Sequence, residues 1–270
     1  MKSVVYAKIP KSGLGNCMLV WAHALVFAKM NNLELVTGRW QKFRWGAIIR
    51  GEKKKRFYGG YFKETSLIQL FRFRVTTLFR KKYYDPDFKI WTLKKHSLFI
   101  FTKTSPDRNL FLRLCPYEKF IQKSIIDNLS KGLRKKYEKL SRPEIAIHVR
   151  RGDFKIANPI TTEKFFISAI NEIRQRTNSE LSVTVFTDAD ANEIPEILSM
   201  PRVTLSANKE DILDILQMSK SKYLVLSRSS TFSYWAAFLS NATVIMQADD
   251  WQEKIKERNE VGYSELRKLY

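Results

Sequence analysis

The run Ile145-Ala-Ile-His-Val-Arg-Arg-Gly-Asp-Phe154 carries an apolar alternation into a basic pair, a glycine and a carboxylate. A buried strand that ends by delivering His148, Arg150, Arg151 and Asp153 to a loop is a compact way to hold a diphosphate. Arginine offers a rigid fork of N–H donors matched to phosphate oxygens and keeps its charge at any working pH. Neighbouring residues of an extended chain point to opposite sides, so one arginine faces a ligand and the other braces the loop, with Asp153 as its natural partner. Gly152 lets the backbone turn sharply or approach a ligand closely. A strand end with a structural Arg–Asp pair is the alternative, and these residues alone leave both open.

Two further polar groups follow apolar runs. Asp188 closes Val185-Phe-Thr-Asp-Ala189, where it can bind a ligand or cap a helix. Ser229, Ser230 and Thr231 open a helix whose free N–H groups and dipole favour a phosphate, and simple N-capping is compatible with that role. Near the start of the chain, Gly13-Leu-Gly-Asn16 places Gly13, Gly15 and Asn16 in a loop ahead of an apolar helix. Its Gly-x-Gly lacks the third glycine of a dinucleotide fingerprint.

The elements that must position these residues alternate. Residues 3–9 read as a buried strand, 18–30 as a helix apolar on most faces, and 33–36 as a second strand, a βαβ opening. Residues 40–95 show many aromatics and few periods, which suggests irregular structure with short helices. Residues 117–139 read as one amphipathic helix, and Ser141-Arg-Pro143 breaks the pattern and marks a domain boundary. Beyond it come strand 145–149, helix 162–176, strand 182–187, helix 192–199, strand 202–205, helix 209–219, strand 223–226, a helix opening near Ser230, and strand 242–246. Strict alternation implies a parallel sheet covered on both faces. In such sheets ligands sit beyond the carboxyl ends of the strands, where residues 148–153, 187–190 and 227–231 all fall.

An apolar fraction of 44% and an aromatic fraction of 13% in 270 residues support one large or two ordinary folded domains and exclude disorder. Cys17 and Cys115 have no metal-ligand spacing, so neither a disulfide framework nor a zinc site is expected. The N-terminal apolar run is too short for a signal peptide, and 18–30 too short for a membrane span, so a soluble or peripheral protein is expected. The net charge of +21 is uneven: Arg39 to Arg142 holds 28 Lys/Arg against 8 Asp/Glu. Clusters such as Lys53-Lys-Lys-Arg56, Arg80-Lys-Lys82 and Arg134-Lys-Lys136 alternate with Phe, Tyr and Leu. That suits an anionic membrane surface or nucleic acid, or is a merely solvated basic face.

The segment around Arg150 resembles the His-x-Arg-Arg-Gly-Asp motif of the bacterial-type α1,2-fucosyltransferases of glycosyltransferase family 11, which transfer fucose from GDP-fucose. Gly13-Leu-Gly-Asn-Cys-Met18 with its helix resembles the family's Gly-Leu-Gly-Asn-Gln-Met opening. Val185 to Ala189 resembles its second nucleotide-site strand, and Ser230-Thr-Phe-Ser-Tyr-Trp235 its Ser-Thr-Phe-Ser-Trp-Trp helix start. Four ordered matches are far more specific than one, and residues 40–140 add none. Cys17 stands where the family has Gln.

The resemblance implies an α/β, GT-B-like fold of two Rossmann-like domains with parallel sheets facing a cleft. Residues 1–142 would be a basic acceptor-side domain and 143–270 the GDP-sugar domain. It implies an inverting, metal-independent transfer to a glycan hydroxyl, O2 of a galactose-like residue of a cell-surface precursor, in the cytoplasm or peripherally on the inner membrane face. Arg150 and Arg151 would stabilise the diphosphate leaving group, His148 would contact the nucleotide, and Asp188 would accept from guanine. Ser229, Ser230 and Thr231 would bind phosphate. Gly13, Gly15 and Asn16 would face the donor, with Asn16 serving the sugar or the incoming hydroxyl. No cofactor or metal is implied, although Asp188-Ala-Asp190 spells an Asp-x-Asp. For the general base, Asp153 is the first carboxylate and Glu163 a distant second. A transferase of the same fold with another nucleotide sugar or linkage is the alternative, and a non-enzymatic basic binder of nucleic acid or membrane is a further one.

Overall fold

The computed structural model describes residues 2–40, 58–88, 96–104, 109–151, 160–247, 254–256 and 260–262. The chain divides into two compact units, parted among these residues between Arg134 and Lys135.

In the N-terminal unit, strand β1 (Val4–Ala7) leads through Gly13 into helix α1 (Leu14–Met30), then β2 (Glu34–Thr37). Helix α2 (Leu67–Thr77), β3 (Lys81–Tyr84) and β4 (Ser97–Phe101) complete a parallel sheet of order β2-β1-β4-β3. Helix α1 is buried on nearly every face, as a helix laid across a sheet and covered from behind must be. Its Phe27 packs on Phe99 and Phe101 at 5.0 and 5.3 Å between ring centres. Asn31 ends it by turning its side-chain amide onto the Phe27 carbonyl.

Two sequence expectations change in this unit. The segment read as irregular with short helices does hold a helix, α2, of eleven residues, but also an unexpected edge strand, β3, whose Lys81 and Lys82 hide it from a reading based on apolar runs. The single helix expected over 117–139 is two, α3 (Glu118–Asn128) and α4 (Lys131–Glu138). Leu129 is extended between them and forms a β-bridge with Phe62, while Lys63 N–H donates to Asn128 and Ser130 N–H to Tyr61. Pairing with a distant segment overrides a continuous helical pattern there.

The C-terminal unit alternates from its first strand to β9: β5 (Ile145–Val149), α5 (Glu163–Thr177), β6 (Val183–Thr187), α6 (Pro195–Leu198), β7 (Val203–Leu205), α7 (Asp211–Met218), β8 (Tyr223–Val225), α8 (Thr231–Leu239) and β9 (Thr243–Met246), with β10 (Glu260–Gly262) as the last described strand. Where one helix was expected over 192–199, a 3-10 turn (Ala191–Glu193) precedes α6, because Pro195 cannot lie inside a helix but starts one well. All strands are parallel, in the order β10-β9-β8-β5-β6-β7. Counted within the unit this is 6-5-4-1-2-3, the Rossmann order. Ile145, Ile147 and Val149 of β5 pack with Phe166, Ala169, Ile170 and Ile173 of α5, whose spacing presents one apolar face. Ala146 and His148 therefore face the opposite side of the sheet, where the His148 ring lies 5.1 Å from that of Phe232 of α8. The chain path reverses between β5 and β8, so the crevice that such sheets offer to ligands opens at the carboxyl ends of these two strands.

Candidate functional site

The β5–β8 ladder ends at Ile147 opposite Val225, while Leu226 N–H stays with the Ile245 carbonyl of β9. The two strands part at this point, and backbone groups beyond it need other partners. Ser227 supplies them: its hydroxyl donates to the His148 carbonyl at 2.7 Å and accepts from Arg150 N–H at 2.9 Å. One buried hydroxyl thus bridges the mouth of the crevice. On the other flank of β5, Thr187 donates to the Val149 carbonyl at 2.6 Å and accepts from Ala189 N–H at 2.9 Å.

The two arginines divide as adjacent residues of an extended chain should. Arg151 turns inward and is buried, with its guanidinium on the carbonyls of Thr161 at 2.8 Å and Arg150 at 3.2 Å. Burial draws its pKa down, and the carboxylates of Glu163, Glu193 and Asp188 oppose that shift. Arg150 turns outward, remains 23% exposed, and pairs with Asp188 Oδ2. Asp188 Oδ1 meanwhile accepts from Arg151 N–H at 2.8 Å. The carboxylate therefore fixes the Arg151 backbone with one oxygen and holds the outer guanidinium with the other.

Thr161 closes the arrangement. Its carbonyl receives Arg151, and its hydroxyl accepts from Arg228 N–H at 3.0 Å and reaches Gln247 Oε1 at 3.2 Å. The carboxyl ends of β5, β6, β8 and β9 are thereby tied into one polar rim. Into this rim runs the start of α8. Ser229 has a φ of 56°, the left-handed region that a non-glycine residue enters at a cost. Ser230 is the N-cap but places no side-chain hydrogen bond on the helix, and the first turn carries no acidic residue. The N-terminus of α8 at Thr231 is thus neither capped by that side chain nor neutralised by an acid in its first turn, which suits an anion.

His148, Arg150, Arg151, Asp188, Ser229, Ser230 and Thr231 thus all lie at strand ends or the helix start of one rim. Asp153, with Gly152, lies outside the described residues. Glu163 opens α5 and accepts from Ile197 N–H at 2.9 Å, so it holds α6. Asp190 is exposed at the 3-10 turn. Among the described residues no group of three or more His, Cys, Asp or Glu is placed to hold a metal.

In the N-terminal unit Gly13 is the N-cap of α1, Gly15 is buried in its first turn and Asn16 is half-buried. A Cβ at Gly13 would meet nothing within 4 Å, so the glycine leaves open space at the helix entrance. Cys17 is buried with its thiol 3.4 Å from the Pro10 carbonyl and 3.6 Å from that of Ser12. It fastens the loop that precedes α1.

Sequence reasoning gave no role to Ser227, Thr187 or Thr161. The first two were legible as hydroxyl residues at the carboxyl ends of buried strands. Thr161 had no such signal, since it acts across a long sequence separation.

Comparison with known proteins adds three findings. The family model described as glycosyl transferase family 11 matches residues 79–264. No curated protein sequence matches the chain significantly. Solved structures share its fold. POFUT1 in complex with GDP-fucose gives a TM-score of 0.56 at 13% identity, covering 89% of this chain and 95% of that one. NodZ α-1,6-fucosyltransferase of Bradyrhizobium, soaked with GDP-fucose, gives 0.51 at 13%, covering 89% and 93%. An arginine-to-lysine mutant of Arabidopsis thaliana FUT1 in complex with GDP gives 0.50 at 16%, covering 91% and 70%. The fold is the α/β, GT-B-like class of these enzymes, as the sequence motifs implied.

Proposed function

The chain belongs to glycosyl transferase family 11, a family of fucosyltransferases, and from that membership we propose that it moves fucose from GDP-fucose to a glycan hydroxyl with inversion and without a metal. The observation that carries the reading is the rim at the β5–β8 switch point, where Arg150, Asp188 and the start of α8 converge. The names of the structural neighbours, bound to GDP-fucose or GDP, point the same way.

On this reading the diphosphate takes the Arg150 guanidinium from Asp188 and sits against the N–H groups at the start of α8. The Asp188 carboxylate, released from Arg150, then accepts from the guanine N1–H and N2–H₂ edge through both oxygens, Oδ1 still holding Arg151 N–H. His148, beside Phe232, lies against the nucleotide. The acceptor oxygen attacks fucose C1 from the face opposite the phosphate. The C1–O bond breaks with its electron pair going to GDP, whose growing charge meets Arg150 and the helix N-terminus. These donors supply the countercharge that a metal supplies elsewhere. The hydroxyl proton goes to Asp153, a weak base suited to an oxocarbenium-like transfer that demands little deprotonation in advance. Gly13, Gly15 and Asn16 serve the transferred sugar and the acceptor.

The acceptor on this reading is O2 of a galactose-like residue in a cell-surface glycan precursor, met at the cytoplasmic face of the membrane. The test is product analysis: GDP-fucose with a set of β-galactosides, EDTA present, and the linkage assigned by NMR. An α1,2-linked fucoside formed with EDTA present supports the reading. Transfer from another nucleotide sugar, or a different linkage, replaces it with a relative of the same fold. Activity that returns solely with a divalent cation removes the metal-independent mechanism.

A further inference from the structure

Helix α2 carries two apolar faces, where an ordinary surface helix has one. The inner face is Leu70, Phe73 and Thr77. Phe73 packs beside Val4, Leu98 and Ile100, with its ring 5.1 Å from that of Tyr6. The outer face is Leu67, Ile68, Phe71, Val75 and Leu78, extended by Phe79, and every one of these is at least 57% exposed, Phe79 as much as 95%. At 3.6 residues per turn those from Leu67 to the C-cap Leu78 fall on an arc of roughly 100°, and Phe79 follows in the turn beyond the helix. Arg72 borders the arc on one side and Arg74 on the other, both exposed. Arg80, Lys81 and Lys82 follow directly, the lysines exposed on edge strand β3. From Leu67 to Tyr84 the chain holds five Arg/Lys and no Asp or Glu. The helix is fixed in place from its start by a capping box, Gln69 N–H on Ser66 Oγ at 3.2 Å and Ser66 N–H on Gln69 Oε1 at 3.0 Å.

We propose that this outer face of α2 docks the protein on an anionic lipid bilayer, with the helix lying in the interface plane. A contiguous apolar face this large differs from the scattered single hydrophobics of a soluble surface. Leu, Ile, Val and Phe enter the acyl boundary, and the flanking arginines extend to the lipid phosphates along their own aliphatic stems. Charge selects the occupant. A second copy of this chain would bring a cationic rim against a cationic rim. Nucleic acid would answer the cations and leave the aliphatic side chains unmatched. An anionic bilayer matches both. The inference stands on α2 alone and is independent of the donor reading.

The test is flotation of the full chain with phosphatidylcholine vesicles, with and without phosphatidylglycerol. Binding is expected to the anionic vesicles and to weaken with added salt. Arg72→Gln with Arg74→Gln is expected to lower the partition coefficient about 25-fold, at about 5-fold per cation. Phe71→Ser with Phe79→Ser is expected to abolish binding with the melting temperature unchanged, since neither ring is in the core. Lys119→Gln with Lys139→Gln, an equal loss of exposed charge elsewhere, is expected to leave most of the binding. The proposal is overturned if the wild-type chain ignores anionic vesicles, or if the Lys pair costs as much as the Arg pair. It is also overturned if sedimentation velocity shows a dimer that the Phe pair dissociates while vesicles bind neither protein. GDP-fucose titration of the same variants keeps the two readings apart, because loss of vesicle binding leaves the donor site intact.

Discussion

Replacing Arg150 and Arg151 one at a time by alanine should separate two jobs that their adjacency conceals. Arg151 is buried and spends its guanidinium on two carbonyls, Thr161 at 2.8 Å and Arg150 at 3.2 Å. A hydrogen bond from a charged group is worth about 1.5–3 kcal/mol, and its loss leaves a buried carbonyl unmatched. The longer contact adds less, so Arg151→Ala should cost about 2–4 kcal/mol. In a chain of this size that lowers the melting temperature by roughly 5–15 °C. Arg150 is 23% exposed and its partner Asp188 14%, so the loss of this half-buried pair should cost about 1–2 kcal/mol, between a surface and a buried one. Under the proposed function its effect should fall on the transition state, where removing one aligned donor to a developing anion costs about 10²–10³-fold in kcat. Arg150→Lys should recover part of that, keeping the charge and losing the fork. The assays are calorimetric melting and initial rates of GDP release. Equal melting losses for the two variants, or an Arg150→Ala enzyme with unaltered kcat, would refute this division of labour.

Other predictions follow the same geometry. Ser227→Ala should destabilise the chain by about 2–4 kcal/mol in urea titration, because two backbone groups at the strand parting lose their partner. It should also weaken GDP binding, whereas a merely destabilised protein would bind GDP normally below its melting range. Asn16→Ala should lower kcat/KM for the acceptor about 10-fold or more while leaving GDP affinity intact, and an equal loss of both would remove Asn16 from the acceptor side. The Glu144 carboxyl is held below the ordinary range by the hydroxyl and N–H of Ser182, at 2.6 and 2.7 Å. The unfolded chain binds that proton more readily, so this stabilisation is complete above an unfolded pKa of about 4.3 and fades as the pH falls through the lower folded value. Glu144→Gln should flatten the acid limb of the stability curve measured by urea unfolding, and an unchanged limb would contradict the assignment.

The C-terminal unit was legible because its physics is local and periodic. Ile145–Val149 is a continuous buried run, and Phe166, Ala169, Ile170 and Ile173 repeat at helical spacing, so strand and helix could be read within a residue of their ends. The polar residues at strand ends then marked one rim. The N-terminal unit was less legible. Strand β3 reads Lys-Lys-Tyr-Tyr and is a strand because it lies at the edge beside β4. Helix α2 carries apolar residues on two faces, which blurs the period that would reveal it. The break at Leu129 depends on Phe62, far away in sequence. Within the site, the type of each charged residue was readable but its partner was not. Nothing in the spacing of Arg151 and Thr161, or of Ser227 and His148, foretells that they meet.

Under the proposed function, the rim at the β5–β8 switch point binds a GDP-sugar without a metal. Calorimetric titration of GDP-fucose, GDP-mannose and UDP-galactose into the wild-type chain in EDTA, repeated on Arg150→Ala, tests it most directly. GDP-fucose is expected to bind in EDTA and the uridine nucleotide not to bind, with a loss of at least about tenfold in affinity in the variant. Absence of GDP-fucose binding, or binding that appears solely with Mn²⁺ and is indifferent to Arg150, would contradict it.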